Sequence, residues 1–295
     1  MTRAIAIAGM LWVFVMISGH AGLAAEKIKV VASFSILGDM VEQVTGDLAD
    51  VTTIVGPDAD AHLYSPNAGD ARAVADADVI FVNGMGFETW SQTLIENSGT
   101  KATVHVATDG ITPLKVEGEI DPHAWNTLTN GMIYVDNVAK VMAAADSANS
   151  DAYLANAKTY KARLMALHDR AVDELSKLPA DSKTVVTAHD AFGYLADGYG
   201  LTFLAPVGID TEAEPSAKEM ADLIDNLKQV GAAALFVENI TSPALVQQIS
   251  RETGIEIGGR LFSDALSERG GPATSYEKMF EHNLNVLVAA LGKSS

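Results

Sequence analysis

The sequence contains seven histidines and no cysteine. Three of the histidines stand just beyond predicted strands, among small, polar and turn-forming residues. His62 lies in Gly-Pro-Asp-Ala-Asp-Ala-His-Leu-Tyr-Ser-Pro, His123 in Asp-Pro-His-Ala-Trp, and His189 in Thr-Ala-His-Asp-Ala-Phe-Gly-Tyr. Asp264, in Arg-Leu-Phe-Ser-Asp-Ala-Leu, follows the last predicted strand. Three imidazoles and one carboxylate form a donor set that suits tetrahedral zinc. Without cysteine, any metal here must be held by His, Asp or Glu. Zinc with a single carboxylate keeps a net positive charge. Asp58, Asp60, Asp121 and Asp190 are therefore candidates to orient the imidazoles. The four positions are dispersed, with no HxH or HExxH signature, so spacing alone leaves each histidine readable as an ordinary loop residue.

The other histidines read as structural. His105 falls inside a predicted strand, His168 on a long helix one step past its apolar stripe and facing solvent, and His282 on the last helix beside Glu281. His20 lies in the apolar N-terminal segment. Tyr64 and Trp125 flank ligand positions and can wall a cleft or pack within a lobe. Glu238, at the end of a strand, points toward the same cleft by position; it reads as a hydrogen-bond partner or a spare carboxylate and is not counted as a ligand. Glu212 and Glu214 read as part of a solvated loop.

Short apolar runs alternating with helical runs must position these residues. Ile28–Ala32, Val51–Val55, Asp78–Val82 and Thr103–Val106 read as strands. The intervening Ile36–Val44, with Ser35 as N-cap, Asp70–Ala77 and Phe87–Asn97 read as helices. Such alternation implies βαβ units and a parallel sheet. Between Asp151 and Leu178, Tyr153, Ala157, Tyr160, Leu164, Leu167, Ala171, Leu175 and Leu178 recur at steps of three and four, closed by Pro179. That stripe predicts one helix roughly 40 Å long, read as a spine between two lobes. The βα pattern then restarts. Thr184–Thr187, Phe203–Pro206, Ala234–Val237 and Ile255–Leu261 read as strands. Ala191–Gly198, Ser216–Val230, Ser242–Thr253 and Tyr276–Leu291 read as helices. The expected fold is α/β: two βα lobes with parallel sheets joined by a single long backbone helix. The expected division is 1–24 signal peptide, 25–147 N-terminal lobe, 148–179 linking helix and 180–295 C-terminal lobe. In open parallel sheets ligands bind beyond the carboxyl ends of the strands. His62 and His123 belong to the first lobe and His189 and Asp264 to the second, so a shared site lies between them.

Length and charge bound the rest. The chain has 295 residues, enough for about two domains, and a net charge of −18. That acidity argues against nucleic acid and anionic membrane surfaces, which need a basic face. Arg3, the apolar run Ile5–Ile17 and the small residues around Ala24 read as a secretory signal peptide. The run is short against the roughly 20 residues of a membrane span. An exported, periplasmic protein is expected, with no cysteine to carry a lipid.

Several of these segments resemble one family. Gly56-Pro57-Asp58 through His62-Leu63-Tyr64-Ser65-Pro66, Asp121-Pro122-His123-Ala124-Trp125, His189-Asp190-Ala191-Phe192-Gly193-Tyr194 and Ser263-Asp264-Ala265-Leu266 occur in its order and separation. Val82-Asn83-Gly84-Met85-Gly86-Phe87-Glu88-Thr89-Trp90 resembles the segment after a strand of its first lobe. The family is the metal-binding solute-binding proteins of zinc and manganese ABC transporters, cluster A-I or cluster 9. The resemblance implies two lobes on a long helix, and His62, His123, His189 and Asp264 as metal ligands. It also implies a membrane permease and its ATPase as partners, and a monomer is expected. Manganese carriers of the family often have Glu at the third ligand position, where this chain has His189. Imidazole favours zinc over the harder manganese, with manganese as the alternative. The segment Pro113–Ile120 is short and lacks the His- and acid-rich loop of many zinc members. No Walker GxxxxGKS/T motif is present, so energy coupling needs another protein. An enzyme is not expected, because no catalytic base or nucleophile signature accompanies the donors. An organic-ligand binder would leave the four ordered motifs unexplained.

Overall fold

The computed structural model describes residues 26–292. The segment read as an export signal lies outside them. Two parallel four-stranded sheets form the body of the molecule. The first comprises β1 (Ile28–Phe34), β2 (Ala49–Val55), β3 (Val79–Val82) and β4 (Thr103–Val106), in the order β2-β1-β3-β4. Its central strand β1 is buried along its last five residues, and β3 is buried throughout. Helices α1 (Ser35–Thr45), α2 (Ala68–Ala75) and α3 (Ser91–Ser98) connect these strands.

After β4 come a small antiparallel hairpin, β5 (Lys115–Val116) and β6 (Glu119–Ile120), and the helix α4 (Leu128–Ala145). The long helix follows as α5 (Ser150–Ser176), 27 residues or about 40 Å. Its buried residues are Tyr153, Ala157, Tyr160, Leu164, Leu167, Ala171 and Leu175, the stripe its periodicity defines. The stripe packs on α4 and α1 from the first half of the chain. It also packs on α6 (Gly193–Tyr199) and α9 (Tyr276–Leu291) from the second. Helix α4 thus shares the connecting layer with α5. Gly131 makes room there, because a Cβ at that position would meet the Tyr276 hydroxyl at 2.4 Å.

The second sheet comprises β7 (Thr184–Val186), β8 (Thr202–Leu204), β9 (Ala234–Glu238) and β10 (Ile257–Leu261), in the order β10-β9-β7-β8. Helices α7 (Ala217–Val230) and α8 (Ala244–Thr253) complete its crossovers. Numbered within each lobe, both sheets have the strand order 2-1-3-4. One core runs from the first sheet through α4 and α5 to the inner side of the second. A separate small core, with Val186, Met220, Ile224, Leu227, Leu235, Val246 and Ile249, lies under α7 and α8. Most expected elements are present, with ends moved by a few residues. Ser35 is not the N-cap of α1: Phe34 holds that place without a side-chain bond. The Ser35 hydroxyl instead accepts the Leu266 N–H at 3.0 Å.

Candidate metal site

Four loops bring the predicted donors together. His62 comes from the β2–α2 connection, His123 from the turn after β6, His189 from the end of β7 and Asp264 from the end of β10. One possible ligand atom from each lies within 4.8 Å of the others. His62 Nε2 is 3.3 Å from His123 Nε2. Asp264 Oδ2 lies 3.2 Å from His62 Nε2, 3.6 Å from His123 Nε2 and 3.1 Å from His189 Nε2. A tetrahedral ion with bonds near 2.05 Å needs donors about 3.3 Å apart. These four pairs have that spacing, and the remaining two lie within 4.8 Å.

Orienting bonds hold the rings. Asp121 Oδ1 lies 2.8 Å from His123 Nδ1 and also accepts the His123 backbone N–H at 2.9 Å. A proton on Nδ1 leaves Nε2 to face the site. Gly193 allows this arrangement, since a Cβ there would lie 2.6 Å from Asp121 Oδ2. Glu238 Oε2 lies 2.7 Å from His189 Nδ1, at an angle outside good hydrogen-bond geometry. Its Oε1 accepts the N–H groups of Ala188 at 2.8 Å and His189 at 3.0 Å.

Of the four expected orienting aspartates, Asp121 alone bonds an imidazole. Asp60 acts one step back: its Oδ1 accepts the His62 backbone N–H at 2.8 Å. Asp58 ties the loops of the two lobes, accepting from Asn239 Nδ2 at 3.0 Å and from the Glu268 N–H at 3.1 Å. The Asp190 N–H donates to Gly208 O at 3.1 Å, and no hydrogen bond joins its carboxylate to a histidine among the described residues.

The site is dry. His123, His189 and Asp264 are fully buried, and His62 is 7% exposed. Burial opposes charge on His123, but Asp264 and Asp121 outweigh it and push its pKa up to about 9. His189 is raised well above the ordinary range despite burial, by Glu238 and Asp264. Burial works against ionisation of Asp264, yet the facing imidazoles hold it well below the usual carboxylate range. The carboxylates facing these rings thus favour the protonated imidazoles.

Trp125 walls the site. Its ring centre is 5.3 Å from that of His123, and its Nε1–H donates to Ser263 O at 2.8 Å, crossing between lobes. Tyr64 instead packs beside Trp90 and donates to Asp70. Phe87 was not singled out by sequence, yet its ring centre lies 4.9 Å from that of His62. The signal was its place in the Val82–Trp90 segment. His105, His168 and His282 stay outside the cluster. His168 is not simply solvated: its Nδ1 lies 3.0 Å from the Tyr199 hydroxyl. His282 Nε2 lies 3.0 Å from Arg260 O.

Two parallel α/β lobes on a helical spine, closed around a buried N/O donor cluster, define a binding protein of the metal-capturing class. Residues 30–290 match the family described as zinc-uptake complex component A, periplasmic, and the chain belongs to that family. It is 32% identical over 269 residues to the manganese-binding lipoprotein MntA of Halalkalibacterium halodurans, covering 91% of this chain and 90% of that one. It is 35% identical over 280 residues to the iron ABC transporter substrate-binding lipoprotein MtsA of Streptococcus pyogenes, again covering 91% and 90%. The periplasmic zinc-binding protein TroA of Treponema pallidum superposes with a TM-score of 0.86 at 28% identity, over 90% of this chain and 99% of that one. The chain is a metal-binding substrate-binding protein of an ABC importer. The two lipoprotein names contrast with a sequence that has no cysteine. Among the described residues no helix is long and apolar enough to cross a membrane.

Proposed function

We propose that this chain captures zinc in the periplasm, with His62, His123, His189 and Asp264 as ligands, and hands it to a membrane permease driven by an ATPase. The observation that carries the reading is the donor set: three imidazole nitrogens and one carboxylate oxygen, the measured pairs 3.1–3.6 Å apart. Imidazole-rich tetrahedral shells favour zinc, and the affinity order of divalent ions does the same. Export relies on the N-terminal segment, and the protein works as a monomer. Four protein ligands leave no open position for a reactive water, which separates a carrier from a hydrolase.

A second reading, manganese, has its own support. Asp264 Oδ1 is buried without a hydrogen-bond partner and is available as a fifth donor for a larger shell. The relative MntA is named for manganese. Elemental analysis and competitive titration of metal-stripped protein separate the two. One zinc per chain, weaker manganese and loss of binding in His189→Ala and Asp264→Ala support zinc. Manganese binding as tight or tighter selects the second reading.

A further inference from the structure

His62 is the donor nearest solvent, and its loop is fastened at two points by side chains. At one end, Asp58 binds Asn239 and the Glu268 N–H, and its own N–H donates to Leu266 O at 2.8 Å. Two residues further on, next to His62, stands Asp60. Its Oδ1 accepts the His62 N–H at 2.8 Å, and its Oδ2 accepts the Thr211 hydroxyl at 2.6 Å. Thr211 belongs to the opposite lobe, in the β8–α7 connection. That connection also runs beside His189. The Val207 N–H donates to Ala188 O at 3.3 Å, and Gly208 O accepts the Asp190 N–H. Just beyond Thr211 the chain is exposed at Glu212, Ala213 and Glu214. A cleft of about 810 Å³, bordered by Thr211, Glu214, Met220, Ile224 and Leu245, lies alongside.

We propose that Thr211, acting through Asp60, is a positioning residue that latches His62 over the site and sets the rate at which metal leaves. The proposal rests on the metal-capture reading. A hydroxyl donating to a carboxylate at this distance is charge-assisted and strong for a single bond. It fixes the carboxylate whose other oxygen fixes the His62 backbone. Without it, the carboxylate and the stretch around His62 gain freedom, while Asp58 keeps the start of the loop in place. The cleft gives the β8–α7 connection room to move off. Thr211 contributes no donor to the metal, so its effect falls on residence time and not on stoichiometry or metal preference.

The test compares Thr211→Val, which removes the hydroxyl at similar shape, with Thr211→Ser, which keeps it. Zinc release into excess chelator is followed by stopped flow, and amide exchange of residues 58–63 is followed in the metal-free protein. Thr211→Val is expected to release zinc about five- to tenfold faster with unchanged association, the scale of one lost hydrogen bond. Thr211→Ser should match the parent. Thr211→Val combined with Asp60→Ala should release zinc no faster than Asp60→Ala alone, since both break one linkage. Faster exchange at the His62 loop in Thr211→Val supports the latch. Parent-like release and exchange in Thr211→Val, or a Thr211→Ser as fast as Thr211→Val, overturns it. If the parent binds no metal, the capture reading fails. The exchange comparison then decides whether Thr211 holds the loop.

Discussion

The two lobes share one strand order but supply donors differently. In both, the segment after the fourth strand gives a donor: His123 after β4 and the hairpin, Asp264 after β10. The remaining donors do not correspond. The first lobe uses the connection after its second strand, for His62, and the second uses the end of its first strand, for His189. The chain explains the difference. β1 runs directly into α1 at Ser35, leaving no loop for a donor, and the Ser35 hydroxyl is spent on Leu266. After β7, residues 187–192 intervene before α6, and His189 stands there. The second-strand connection of the C-terminal lobe, 205–216, meanwhile runs out to the surface and reaches back to the first lobe through Thr211. The lobes also differ in support. The first shares the large core with the helical layer, while α7 and α8 rest on the small separate one. That contrast predicts a more rigid first lobe and a softer second lobe on either side of the candidate site.

The largest expected effect comes from unbalancing the corresponding donors. Asp264→Ala removes the anion facing all three imidazoles, whereas His123→Ala removes one of those three rings. Loss of the buried charge partner should cost affinity by several hundredfold or more, on the scale of about 3–5 kcal/mol for breaking a buried pair. Titration calorimetry or chelator competition measures it, and equal small losses in both variants would erase the distinction.

Acidity is the next lever. His123 titrates near pH 9 in the metal-free site, and His189 is also raised. Protons on these rings compete with metal for the same nitrogens. Affinity should therefore rise with pH up to about 9 and fall below it, by about tenfold per unit for each proton released. The ordinary imidazole range near 6.5 would place the fall lower. Proton release during titration in two buffers counts the protons, and flat affinity between pH 8 and 6 would contradict the charge balance.

The orienting carboxylates come third. Asp121→Asn in the first lobe and Glu238→Gln in the second should each weaken binding by about 10- to 100-fold, the usual span for groups that orient ligands. Glu238 also gathers the Ala188 and His189 N–H groups. Its variant should therefore lower thermal stability more than the Asp121 variant does.

The smallest effect is dynamic. Amides of α7 and α8 should exchange faster than those of β1, β3 and α1, because fewer buried side chains hold them. Hydrogen exchange by mass spectrometry measures this, and uniform protection of the two lobes would remove the rigid-versus-soft contrast.

Legibility in the sequence followed the range of the interactions involved. The α5 stripe and the whole of α9 were visible because a 3.6-residue period is local. The four candidate donors follow strands amid turn residues, but it was the ordered family motifs that set them apart from ordinary loop residues. Helix α4 was passed over, although Leu128, Tyr134, Val135, Val138 and Met142 carry the same period. The short β5–β6 hairpin, turning at Glu117 and Gly118 with positive φ, offered only four strand residues. Strand order was hidden, since parallel pairing joins residues far apart in the chain. The orienting groups divide the same way. Asp121, two positions from His123, was visible. For His189 both the neighbouring Asp190 and the strand-end Glu238 were visible as partners, and Glu238 is the one whose carboxylate comes within 2.7 Å of Nδ1, because β9 lies beside β7.

The most direct test of the central claim is an anomalous difference map from zinc-loaded crystals, collected at the zinc edge. A single strong peak about 2.0–2.1 Å from His62 Nε2, His123 Nε2, His189 Nε2 and Asp264 Oδ2 is the predicted result. A peak elsewhere, or no zinc among these four side chains at full loading, would contradict it.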